Sequence, residues 1–90
     1  MNIDQLIASV RAAMAPKLAE RKTLKDKIDA VRTACAAESR DPSDDEAREV
    51  TDAAEKIRGL DAELEAQAAR VTELEDEKRR DAAADRLSRE

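Results

Sequence analysis

The sequence predicts an all-α fold: an antiparallel two-helix hairpin, coiled-coil-like, led by a short N-terminal helical segment and expected to oligomerise. Three observations carry this expectation. The chain is dominated by Ala, Glu, Lys, Leu and Arg, the composition of long helices and coiled coils. Its apolar residues recur in an alternation of threes and fours rather than the period of two that marks a strand. Between two such series lies "ESRDPSDDEARE", Glu38 to Glu49, a stretch of turn and capping residues.

The first series begins with Ile3, Ile7, Val10 and Met14. It passes through Lys17 and Arg21, where it turns polar, and resumes with Leu24, Ile28, Val31 and Cys35. Pro16 stands at the polar interruption, and proline in a helix interior removes a hydrogen bond and clashes with the preceding turn. The spacing therefore predicts a short helix from about Ile3 to Met14 and a longer one from about Pro16 to Glu38, or a single kinked helix. Domain boundaries follow: an N-terminal helical segment over 1–15, a hairpin over 16–80 with its turn near 39–43, and a polar tail or linker over 81–90.

In the turn, Pro42 disfavours helical geometry at Asp41 and is expected to stop the first helix. Ser43 followed three residues later by Glu46 forms a capping box, and Asp44, Asp45 and Glu46 supply negative charge where the helix dipole favours it. The second series then runs Val50, Ala53, Ile57, Leu60, Leu64, Gln67, Val71 and Leu74. The second helix is expected to reach about Arg80, roughly 55 Å. Asp52 with Lys56, Glu75 with Arg79, and Asp76 with Arg80 are placed to form acidic-then-basic pairs along it. Gly59 inside it is read either as close packing beside Leu60 or as a hinge or contact point for another chain.

A short connection makes long helices antiparallel neighbours. Lining them up about the turn sets Cys35 near Val50, Val31 near Ala53, Ile28 near Ile57 and Leu24 near Leu60. Arg21 then faces Leu64 and Lys17 faces Gln67, so the polar positions of both helices share the same layers. Beyond that gap Met14 and Val10 approach Val71 and Leu74. The seam candidates are Leu24, Ile28, Val31, Ile57, Leu60, Leu64, Val71 and Leu74, with Pro42, Ser43 and Glu46 as turn and cap. Ile3, Leu6, Ile7, Leu18, Val71 and Leu74 are candidates for outer contacts.

Composition narrows the chemistry. Of the 41% hydrophobic residues about half are alanine, and Phe, Trp and Tyr are absent. Alanine buries little area, so a compact globular core is not expected from ninety residues. Charge is high in total, 43%, yet nearly balanced at −5, which favours helix over disorder. An acidic pI of about 4.9 lacks the basic footprint of a nucleic-acid binder, and no apolar run is long enough to span a membrane. The N-terminus is not a secretory signal. There is no histidine to bind metal or act as a base, a single glycine excludes a phosphate loop, and Cys35 falls on the apolar series as a core residue. No catalytic, cofactor or metal site is expected, and the function class is interaction rather than catalysis.

Three segments also resemble a known family. "ERKTLKDKIDAV" (Glu20–Val31), "ESRDPSDDEAREV" (Glu38–Val50) and "AEKIRGLDAELEAQAARVTELE" (Ala54–Glu75) are similar to the N-terminal scaffolding segment, the delta domain, of Hong Kong 97-type tailed-phage major capsid proteins. Arg40, Asp41, Ser43 and Glu46 match that family's turn, whereas Pro42 replaces its usual apolar residue. The resemblance covers Lys17 to Arg79. It implies an internal scaffolding domain that guides assembly of a capsid precursor by helical self-association and is removed at maturation. The partners it implies are other copies, capsid shell domains and a phage maturation protease, with no nucleic acid and no membrane. The implied location is the interior of the immature capsid, assembled in the host cytoplasm, with a capsid body following the tail. Two other readings use the same hairpin: a stand-alone coiled-coil adaptor, and a nucleic-acid arm like that of seryl-tRNA synthetase, which would want a basic flank.

Overall fold

A computed structural model describes residues 1–89, which form two long helices joined by one reversal. Helix α1 spans Ile3–Ala37 and α2 spans Asp44–Arg89, and every long-range contact among the described residues is between the two. The result is a bar of 71 × 21 × 15 Å. The predicted hairpin is therefore the observed fold.

Helix α1 opens with a cap that the expectation above did not include. The Gln5 amide donates to Asn2 Oδ1 at 2.8 Å and the Asn2 amide donates to Gln5 Oε1 at 2.9 Å. Asn2 and Gln5 are thus a second capping box, readable in the sequence as Asn-x-x-Gln. From there α1 passes through Pro16 without a break. The separate N-terminal segment over 1–15 is not a domain of its own. An interior proline costs about 3 kcal/mol, yet its ring is exposed, and apolar residues on both sides of it pack on one unbroken α2. The partner helix acts as the template that keeps α1 straight enough to continue.

Pro42 is not what stops α1. The helix ends at Ala37, where Ser39 takes a left-handed conformation with φ 50°. The Ser39 amide donates to the Ala36 carbonyl at 3.3 Å and the Arg40 amide to the Cys35 carbonyl at 3.0 Å. These two bonds are a Schellman closure, here with serine where glycine is usual. Pro42 lies beyond it, in the six-residue connection Glu38–Ser43.

Helix α2 starts as predicted. The Glu46 amide donates to Ser43 Oγ at 3.2 Å and the Ser43 amide donates to Glu46 Oε1 at 3.0 Å. It does not end near Arg80 but runs to Arg89, so the polar tail over 81–89 is helical, the first of the two alternatives for it; Glu90 lies outside the described residues. Gly59 is exposed, and a Cβ built there would meet nothing within 4 Å. Close packing beside Leu60 is therefore not its explanation.

The buried residues form two apolar clusters along the seam. Near the turn, Leu24, Ile28 and Ala53 are buried, with Val50, Ala54, Ile57 and Leu60 packed against them. At the far end Ile7, Val71 and Leu74 are buried, with Ile3, Leu6 and Val10 against them. Leu74, at 1% exposed, is the most enclosed side chain. Val31, Cys35 and Leu64 are also buried. This is the predicted register, Ile28 and Leu60 sharing one cluster and Val10 meeting Val71 and Leu74.

Candidate interaction surface

The candidate surface is built from the seam, the turn and the flanks that the seam leaves open. All eight seam candidates contribute to the α1–α2 interface, but unequally: Leu24, Ile28, Val31, Leu64, Val71 and Leu74 are buried, whereas Ile57 and Leu60 are half-buried. The outer-contact candidates separate as well. Ile7, Val71 and Leu74 are enclosed inside the hairpin and are not free to meet another chain, because α1 continues past Pro16 and covers them. Ile3 and Leu6 are half-covered. Leu18, 53% exposed, remains open to a partner.

Between the two apolar clusters lies a polar layer. Arg21 Nε donates to Asp61 Oδ1 at 2.6 Å and Arg21 Nη2 to Asp61 Oδ2 at 3.2 Å, a bidentate pair across the seam. Lys17 Nζ lies 3.5 Å from Glu63 Oε2. The sequence placed Arg21 and Lys17 opposite Leu64 and Gln67; their long side chains reach instead to the acids three and four residues earlier on α2. The hydrogen bond from Arg21 holds the Asp61 carboxyl below the usual carboxylate range. Gln67 carries a buried Oε1 that accepts no hydrogen bond among the described residues. A polar group buried in this way opposes folding, so the layer weakens the middle of the seam while it fixes which residues face each other.

Three further ion pairs cross the seam: Arg11–Glu75 at 3.0 Å, Lys78–Asp4 at 2.7 Å and Lys27–Glu49 at 3.9 Å. The three pairs predicted along α2 do not form among the described residues, one of them because a cross-seam partner takes its acid. Glu75 turns to Arg11 rather than Arg79, Asp76 pairs with Arg79 rather than Arg80, and Asp52 makes no ion pair with Lys56 among the described residues. Pairs within α1 join Lys22 to Asp26 at 2.8 Å and Lys25 to Asp29 at 2.7 Å.

At the turn, Arg40 is the organising residue. Its Nη1 donates to Glu46 Oε1 at 2.6 Å and its Nη2 to Glu46 Oε2 at 3.2 Å, while Nε donates to Glu38. Nη1 also lies within reach of the Asp41 carbonyl and of Cys35 Sγ. One guanidinium thereby ties the end of α1 to the start of α2. The Glu46 carboxyl, held by Arg40 and by the Ser43 amide, is lowered to about 2. Arg40 entered the sequence reading only as a match to a family turn; its role is a geometric fact about where the reversal puts it.

Among the described residues no cluster of His, Cys, Asp or Glu side chains is arranged to hold a metal ion, and no helix is long and apolar enough to cross a membrane. Cys35 is a free, buried thiol. Comparison with known proteins adds no relative: no family model, no curated protein and no solved structure matches the chain.

Proposed function

We propose that this chain is a protein-association module that works by packing its hairpin against further helices, its own copies first. The observation that carries this reading is the incomplete cover of the seam. Val50, Ile57 and Leu60 near the turn, and Ile3, Leu6 and Val10 at the far end, remain half-buried after the two helices have closed. A two-helix seam lacks the enclosure that three or four helices give to a bundle core. Neighbouring helices would finish the burial, and apolar area removed from water is worth about 25 cal/mol per Å².

The resemblance to phage delta domains supports a specific use of such a module. In this reading the hairpin guides assembly of a capsid precursor from inside the immature shell, through weak contacts that raise the effective concentration of attached shell domains. Weak contacts suit a part that must be released, and removal by a maturation protease would end its role. The same surface would serve a stand-alone adaptor, so the test has two arms. In sedimentation velocity the chain should associate with rising concentration, and Leu60→Asp should abolish that association. A monomer up to roughly millimolar concentration, the level that short tethers impose, overturns association altogether. Expressed with the capsid body that the scaffold reading requires, Ile28→Asp and Leu60→Asp should give malformed or no shells; normal shells from both remove the scaffold role and leave the adaptor.

A further inference from the structure

The bar carries opposite charge at its two ends. Around the turn, residues 38–49 hold six acidic side chains and two basic ones; at the other end, residues 78–89 hold five basic and two acidic. The Lys78–Asp4 ion pair sets Lys78 level with the first turn of α1. Helix α2 continues to Arg89, so it overhangs α1 by about 16 Å at 1.5 Å per residue. The overhang forms a ledge, and two open grooves lie at this end, one beside the first turns of α1 and one along the ledge. The larger, about 710 Å³, is lined by Ile7, Ala8 and Ala82 together with Lys78 and Arg79. The smaller, about 430 Å³, is lined by Ala82, Arg79, Arg86 and Arg89. Asp4 and Glu75 at these grooves are paired with Lys78 and Arg11, and Arg79 is paired with Asp76, so Arg86 and Arg89, beside Asp85, are the cations the ledge offers a partner.

We propose that this ledge receives the acidic turn of a second copy. The proposal rests on the reading that the chain associates with itself, and adds an end contact to the lateral ones. Asp41, Asp44 and Asp45 are the acids the turn presents, all exposed, Asp45 lying 3.6 Å from Arg48, while Glu38 and Glu46 are engaged by Arg40 and Glu49 by Lys27. A turn against a turn, or a ledge against a ledge, would oppose like charges, so the charge pattern favours turn against ledge. The two surfaces differ, so bars joined end to end by this contact build rows or rings. Of the apolar residues at the larger groove only Ala8 and Ala82 are exposed, and alanine buries little area, so the contact is chiefly electrostatic.

The test uses the full chain in sedimentation velocity at about 0.01 M and about 0.15 M salt, where the screening length falls from roughly 30 to 8 Å. The end contact predicts association at the lower salt that is largely lost at the higher. The double variants Asp41→Lys/Asp45→Lys and Arg86→Glu/Arg89→Glu should each lose it, and their equimolar mixture should regain it, because each then offers what the other lacks. Circular dichroism checks that the helices persist, and the neutral versions Asp41→Asn/Asp45→Asn and Arg86→Gln/Arg89→Gln replace any reversed variant that unfolds. Wild-type association in both variants, or no recovery in the mixture, overturns the end contact while lateral association stands. A wild-type chain that stays monomeric at both salts and all concentrations overturns both.

Discussion

Replacing Pro16 with alanine tests the continuity of α1. An interior proline costs a helix about 3 kcal/mol, through the hydrogen bond its nitrogen cannot donate and the clash of its ring with the preceding turn. Pro16 is exposed within the unbroken helix Ile3–Ala37, so alanine there leaves no cavity and loses no packing. Against the gain stands the unfolded chain, which recovers freedom worth about 0.4–1 kcal/mol when proline is removed. The net is a stabilisation of about 2 kcal/mol. A domain of this size gains about 4–8 °C in Tm per kcal/mol, so the midpoint should rise by roughly 8–16 °C. The assay is thermal unfolding followed by circular dichroism at one low protein concentration, because association makes Tm concentration-dependent. An unchanged or lowered Tm would refute the reasoning. It would mean that the native chain bends at Pro16, and that Ile7 and Val10 reach Val71 and Leu74 by another path.

Four smaller perturbations probe the remaining devices. Gly59→Ala should stabilise by about 1 kcal/mol in the same melt, since the position is helical and open; a loss would reveal a chain that packs on that spot. Leu74→Ala removes the most enclosed side chain and should cost about 2–5 kcal/mol in urea unfolding, whereas the same change at exposed Leu18 should leave the midpoint in place. Ser39→Gly relieves a left-handed serine and should stabilise by about 1 kcal/mol; a destabilised variant would deny the Schellman closure. Glu46, lowered to about 2 in the folded chain against an ordinary carboxyl near 4.5, contributes stability that is full above pH 4.5 and is lost as pH falls toward 2. The Tm of Glu46→Gln should accordingly depend less on pH across that window, and parallel curves for the two proteins would show that the Arg40 clasp contributes nothing.

Much of this protein is written in local pattern. The alternation of threes and fours in the apolar residues was enough to set two helices, their antiparallel register and the cluster shared by Leu24, Ile28, Ile57 and Leu60, because a stripe at that period has one face to bury. The Ser43–Glu46 box was enough to place the start of α2, because its bonds span only three residues. The same local logic at Asn2 and Gln5 marks the start of α1. What the sequence left undecided depends on contacts between distant segments. Pro16 reads locally as a break, and only packing against α2 on both sides of it keeps the helix whole. Glu75 has a local partner in Arg79, but the reversal brings Arg11 within 3.0 Å and that pair forms instead. The clasp of Arg40 and the overhang of α2 beyond Asp4 likewise exist only once the chain has folded back, for they are relations between helices and not properties of either one.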